Sequence, residues 1–395
     1  MTEICLINAR LIDPETGTEE MGGLHLRHGQ IAAQLPPAGQ LPRAATVGDC
    51  DGHCLAPGIV DIGVKIGEPG ERHKESFRTA GAAAAAGGVT TMVTRADTVP
   101  VIDTPETLEF VTRRAAEATE VRIAPMAALT KGRAGHEMVE IGFLQDAGAV
   151  AFSDGDRVTT NTKVLTRALS YARSLGALTI AHPQEPILSE GGAVTSGKFA
   201  ALKGLPAVSP MAERLGLERD LTLAEMTGAA YHADQITTAA ALPALRRAKE
   251  DGLNVTAGTS VHHLTLNALD VGDYRTFFKV KPPLRDEEDR LAVVEALATG
   301  LIDTISSMHT PQDEESKRLP FEEAASGAVA LETLLPATLR LFHAGHLTLS
   351  QLFAALSLNP AKRLGLPGGR LAVGSPADLV LFDPHAPFIL DRFTL

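Results

Sequence analysis

The stretch Pro57-Gly58-Ile59-Val60-Asp61-Ile62-Gly63-Val64-Lys65-Ile66-Gly67-Glu68-Pro69-Gly70 decides how the chain is read. An apolar run leaves a Pro-Gly pair and ends in a Gly-Glu-Pro-Gly turn. Such a run is the pattern of a strand buried on both faces, as in a parallel sheet. Parallel strands need crossover helices, so helical patterns should follow.

They do. Residues 75–86 read as a helix stopped by Gly87-Gly88. Thr104 caps another, with Pro105 at its first position and Glu106 in its first turn. Strands are expected at 59–64, 89–93, 121–126, 148–152, 177–181, 231–236, 254–257 and 302–306. Helices are expected at 137–147, 161–175, 240–250 and 287–299, with one more closing at 223–228. About eight such repeats over roughly 250 residues imply an α/β fold, a (β/α)₈ TIM barrel, assigned to residues 57–356. An open doubly wound sheet has the same rhythm, but neither a Gly-x-Gly-x-x-Gly turn nor a Walker loop is present.

Residues 1–56 read as short strands and turns, with a turn at 13–17 and alternation at 23–27. Residues 357–395 contain the Gly/Pro-bounded strand 374–382. Neither piece has a core of its own, so both chain ends are expected to build one small β-domain.

The chain has 395 residues, is 44% hydrophobic and 21% charged, and carries a net charge of −12. That acidity argues against nucleic acid and against an anionic membrane surface. The three cysteines, Cys5, Cys50 and Cys54, give no disulfide framework and fit a reducing compartment. Cys50-Asp51-Gly52-His53-Cys54 offers two thiols and an imidazole but no fourth ligand, so it reads as a turn flanked by small apolar residues. No basic, apolar leader and no spanning apolar run is seen, so a cytoplasmic location is expected.

The order and spacing of several phrases carry a resemblance. They are Ala56-Pro57-Gly58-Ile59-Val60-Asp61, Glu68-Pro69-Gly70 with His73-Lys74-Glu75, residues 84–91, Pro100-Val101-Ile102-Asp103 and Thr130-Lys131-Gly132. Residues 147–154, Phe278-Lys279-Val280, Pro282-Pro283-Leu284-Arg285, Asn359-Pro360-Ala361 and Gly374-Ser375-Pro376-Ala377-Asp378-Leu379 complete the set. Over essentially its whole length the chain resembles a type I dihydroorotase of the amidohydrolase superfamily. Members usually continue past Thr394-Leu395, so the last strands of the β-domain are expected to be missing or to lie outside this chain.

The resemblance implies a zinc site that activates water and polarises a cyclic amide. The family's first-strand His pair falls on Gly63 and Lys65. Its bridging carboxylate falls on Gly155, between Asp154 and Asp156. The fifth-strand His is kept as His182. The sixth-strand His falls on Gln235, with His232 nearby, and the last-strand Asp falls on Met308. The substrate-binding Arg falls on Gly67, the two Asn on Asp97 and Lys281, and a final His on Gln312. Only His182 survives of the metal set, so no catalytic residue, no metal and no cofactor is expected. Lys65 is expected to sit where the metal is lost, paired with Asp97 or Asp154. His262-His263 is read as structural, because adjacent residues on a strand face opposite ways.

The implied function is a catalytically silent dihydroorotase-like protein of pyrimidine biosynthesis. Family copies of this kind assemble with aspartate carbamoyltransferase, so a hetero- or homo-oligomer is expected. The rival is an active cyclic-amide hydrolase with a site rearranged around His182, drawing on Asp154, Asp156, Lys65, His232 and His309. A third possibility is a small-molecule binding protein that uses the vacated pocket.

Overall fold

The computed structural model describes residues 3–37, 41–42 and 45–391. Met1, Thr2, Thr394 and Leu395, which enter the readings of the chain ends, lie outside the described residues.

The strand Ile59–Val64 is buried at every position. It pairs in parallel with Val89–Thr94, which pairs with Arg122–Pro125. A second parallel sheet runs Leu178–Ala181, Ala230–Ala233, Val255–Ser260, Thr304–Ser306. Phe152 joins the two sheets by bridging Ala127 on one side and Thr179 on the other. On the opposite side the Lys65 N–H donates to the His309 carbonyl at 2.8 Å, and the Ser307 N–H donates to Asp61 Oδ1 at 2.8 Å. Three strands, one bridging segment and four strands thus close into an eight-membered ring. The strand expected at 148–152 is this single bridge, because Gly148 and the turn before it leave only the segment's end in register.

Local chemistry sets the surrounding helices. Phe77–Ala86 begins at a Ser76 capping box with Thr79, which satisfies N–H groups the helix itself leaves unpaired. Its Phe77, 1% exposed, belongs to the buried cluster that also holds Val64 and Ile66 at the first strand's exit. Burying such a side chain stabilises by roughly 1.5–3 kcal/mol. Thr104 caps Pro105–Ala118, and Asn161 caps Thr162–Leu175, which Gly176 ends in a left-handed turn. The helix expected at 137–147 is shorter, Ile141–Asp146. Residues before it leave the helical path where Thr130 bridges Met138. Pro210–Thr227 was visible in the sequence only at its C-terminal end. It buries Glu213 and Asp220 beside leucines, so its polar residues blur the expected apolar stripe.

The chain ends share one sheet. In order it runs Leu379–Phe382, Cys54–Pro57, Glu3–Asp13, Thr18–Arg27, Gln30–Leu35, with Thr46–Asp49 also on Glu3–Asp13. Ala9, Leu24, Ile31, Cys50, Leu55 and Leu371 pack beneath it. Cys5, Cys50 and Cys54 are buried thiols without disulfides. No helix among the described residues is long and apolar enough to cross a membrane.

Candidate functional site at the barrel mouth

Loops that follow the barrel strands enclose a cavity of about 70 Å³. Arg95, Asp156, His182, Asp234, Gln235, His262, Lys281 and Met308 are on its wall. It adjoins an outer vestibule of about 740 Å³ that shares Asp156, His182 and Lys281. This is the C-terminal face of the strands, where barrel proteins place their sites.

At the floor, Gly63 has φ +87°, and a Cβ there would meet Met308 Sδ at 2.8 Å. The thioether has taken the space a longer side chain at 63 would need. Substituting Gly63 by His is expected to cost about 2 kcal/mol or more, from the left-handed backbone and the overlap together. Thermal unfolding of the variant measures it; an unchanged midpoint would refute the overlap. Gln235 and Met308 themselves hold φ of 57° and 48°. Non-glycine residues reach that region at a cost of order 1–3 kcal/mol, and such strain clusters at sites.

Lys65 is paired, as its charge requires. Its Nζ lies 3.2 Å from Glu71 and 3.5 Å from Asp97. Asp97 in turn takes Arg95 through two hydrogen bonds of 3.1 and 2.6 Å. Burial alone would raise the Asp97 carboxyl, but Arg95 and Lys65 hold it below its usual range.

Asp154 does not join Lys65. Its carboxylate accepts from the N–H groups of Leu129 and Thr130 and from the hydroxyls of Thr130 and Thr159. It is a loop-building carboxylate with no acceptor left over for an ion. Asp156 is different. Arg133 reaches it at 2.5 Å, Lys281 at 3.2 Å and Arg95 at 3.8 Å. Burial alone would raise this carboxyl, but Lys281, Arg95 and Arg133 hold it well below the usual range.

The histidines do not converge. His182 is 4% exposed, its Nδ1 has no partner, and burial, aided by Lys281, pushes its pKa down to about 3. His232 lies within the barrel wall, with Nδ1 2.8 Å from Thr256 Oγ1. His309 Nδ1 accepts from the Ala330 N–H at 3.1 Å, so Nε2 donates to Glu75 at 2.9 Å. Both its nitrogens are used. His262 and His263 sit on the short helix Val261–Thr265, not on a strand, because Val255–Ser260 ends just before them. His263 spends both nitrogens on Ser260 and the Pro283 carbonyl. Gln312 donates to the Ser326 carbonyl at 2.9 Å. Gly67 is packed against the Glu71 carbonyl, which leaves no room for an arginine there.

The sequence reading missed Asp234, Arg95 and Arg133. Asp234 follows strand Ala230–Ala233 directly, and burial raises it to about 6 against the pull of Arg95. Position at a strand's C-terminal end was the available signal. A search for histidines passed over it.

Comparison with known proteins agrees with this fold. Residues 52–241 match the dihydro-orotase-like family. A dihydroorotase of Syntrophus aciditrophicus (strain SB) is 39% identical over 389 residues, 98% of this chain and 91% of that protein. A dihydroorotase-like protein of Pseudomonas putida is 40% identical over 384 residues, 97% of this chain and 90% of that protein. Among solved structures, the L-hydantoinase (dihydropyrimidinase) of Arthrobacter aurescens superposes with a TM-score of 0.86 at 24% identity, covering 96% of this chain and 86% of that one. At that identity the likeness speaks for the fold.

These relatives correct one expectation. The sequence suggested that no cofactor belongs here, yet the relatives are named dihydroorotases, a family for which the resemblance implies a zinc site. Zinc is therefore the cofactor of the family. The residues of this chain do not fit the zinc site that the resemblance implies. Gly63 and Met308 cannot supply the missing donors, Lys65 and Gln235 stand at two other ligand positions, and Asp154 and His309 are fully engaged. Among the described residues no three His, Cys, Asp or Glu side chains group to hold a metal ion. With near-complete coverage of relatives at this identity, the chain belongs to the dihydroorotase-like family, built on the amidohydrolase (β/α)₈ barrel.

Proposed function

We propose that this chain is a catalytically silent dihydroorotase-like protein that serves as an assembly partner of aspartate carbamoyltransferase. The observation that carries the reading is the Gly63–Met308 contact. The floor of the site is filled by a thioether on a backbone that a ligand-bearing side chain at 63 would strain. The scaffold around it is intact, from the Ser76 cap to the closed ring of strands. A retained barrel whose floor has lost its ligand side chains fits a protein kept for its surface.

The test has two arms. Purified protein supplied with zinc is expected to leave dihydroorotate unhydrolysed, and to co-purify with the transferase when the two are co-expressed. Turnover sinks the first half of the reading; failure to co-purify sinks the second.

A specific observation favours one rival, hydrolysis of another cyclic amide. His182, neutral near pH 7, and Asp234, raised to about 6, line the same cavity. Groups with shifted pKa values in one cleft suit general acid–base work. Under that rival, His182→Ala abolishes turnover of a hydantoin; under the assembly reading it leaves assembly intact.

A further inference from the structure

We propose that Arg95, Arg133 and Lys281 form a carboxylate-binding site at the barrel mouth, and that Asp156 of the same chain occupies it as a built-in ligand. The site stands whether or not the chain assembles with a transferase.

Three cations converge on one carboxylate. Arg133 Nη2 takes Oδ1 at 2.5 Å and Lys281 Nζ takes Oδ2 at 3.2 Å, while Arg95 Nη2 lies 3.8 Å from Oδ1. The split between Oδ1 and Oδ2 is that of a carboxylate held by both oxygens. The two guanidinium groups are anchored from within, at 9% and 8% side-chain exposure for Arg95 and Arg133. Asp156 is 42% exposed and enters from the solvent side. The two arginines are thus a buried wall, and Lys281, 51% exposed, closes on the carboxylate from the solvent side as Asp156 does.

The anchoring is costly, which suggests that it serves a purpose. Arg133 has φ +57° beside Gly132 at +59°, a backbone state that a residue with a Cβ adopts only at a cost in strain. In that state its Nε donates to the Asp154 carbonyl at 2.8 Å, aiming the remaining guanidinium nitrogens at the mouth. Gly155, at φ +62°, precedes Asp156, and its missing Cβ lets Arg133 and Arg95 approach within 3.3 and 3.5 Å of that point. A glycine there also gives Asp156 a pivot. Asp156 and Lys281 border both the inner cavity and the vestibule. Turning Asp156 outward leaves Arg133 and Lys281 without their carboxylate at the edge of a space of about 740 Å³, while Arg95 keeps its pair with Asp97. A small monocarboxylate from solvent replaces Asp156 in charge and in shape.

Chemical rescue in the full-length chain tests this. Asp156→Ala is expected to lower the thermal midpoint. Sodium acetate or formate at about 100 mM should then raise it by roughly 1–3 °C over sodium chloride of equal ionic strength. The wild-type chain, with its site filled, should respond less. Asp156→Ala/Arg133→Met should lose the rescue. If Asp156→Ala does not fold, Asp156→Ser vacates the carboxylate position with a smaller polar side chain and is read the same way. Equal responses to acetate and chloride, or rescue that survives loss of Arg133, would overturn the proposal.

Discussion

Replacing Glu213 with alanine is expected to cost about 3–5 kcal/mol of folding free energy. Glu213 and Arg285 are each 1% exposed at the side chain and lie 3.5 Å apart. Glu213 accepts from the N–H groups of Thr237 and Thr238, each at 2.9 Å, and from both threonine hydroxyls. Arg285 donates to Thr237 Oγ1 at 3.0 Å and toward Thr195 Oγ1 at 3.5 Å. One carboxylate therefore ties helix Pro210–Thr227 to the loop after strand Ala230–Ala233 and to the loop carrying Lys281. Alanine leaves a buried guanidinium without its counter-charge and two backbone donors without acceptors. Each of those losses alone costs on the order of 1–3 kcal/mol. Urea unfolding gives the number, and a loss under about 1 kcal/mol would refute the account. Adding Arg285→Met should restore part of it, because the unpaired charge is then gone. No restoration would mean that the threonine contacts, not the ion pair, carry the effect.

The barrel was legible because each buried strand is a short apolar run and each crossover helix has a cap or a glycine stop that acts locally. The ring's fourth position was legible only as an apolar stretch. Its pairing narrows to Phe152, which depends on neighbours far along the chain. The site was half legible. Of Asp97 and Asp154, the alternatives expected beside Lys65, Asp97 is there and Asp154 instead holds residues 129–130, while Glu71 was not expected. Arg133, Asp156 and Lys281 meet from three separate loops, the last two 125 positions apart. No period in the sequence encodes such a meeting. The same holds for Met308 filling the space beside Gly63: each substitution is visible alone, but their contact is visible only in three dimensions.

Acid should destabilise this protein, by up to about 4 kcal/mol between pH 7 and pH 5. Burial lowers His182, His232 and His263 to about 3 and His262 to about 4. Unfolded, all four take protons below about 6.5, and folded they do not. Their contribution is complete above that pH and is lost as pH falls. Four carboxyls raised by burial oppose them, Asp61, Asp234, Asp220 and Asp289. Burial raises Asp61 and Asp234 to about 6, so the folded chain takes up protons there that the unfolded chain refuses until about 3.8. These two favour the folded state as pH falls. Counting the four histidines, Asp61 and Asp234, near pH 5 the unfolded chain gains about four protons and the folded chain about two, a slope of up to about 3 kcal/mol per pH unit that Asp220 and Asp289 reduce. Asp61→Asn separates the terms. It removes one opposing carboxyl, so the acid slope should steepen by nearly one proton, while at pH 8 the variant should be more stable because no buried charge remains beside the Ser307 N–H. His232→Gln should do the reverse and flatten the slope. Urea midpoints from pH 5 to pH 8 give all three slopes. A wild-type curve that is flat, or that rises toward acid, would mean that these imidazoles are already charged in the folded barrel.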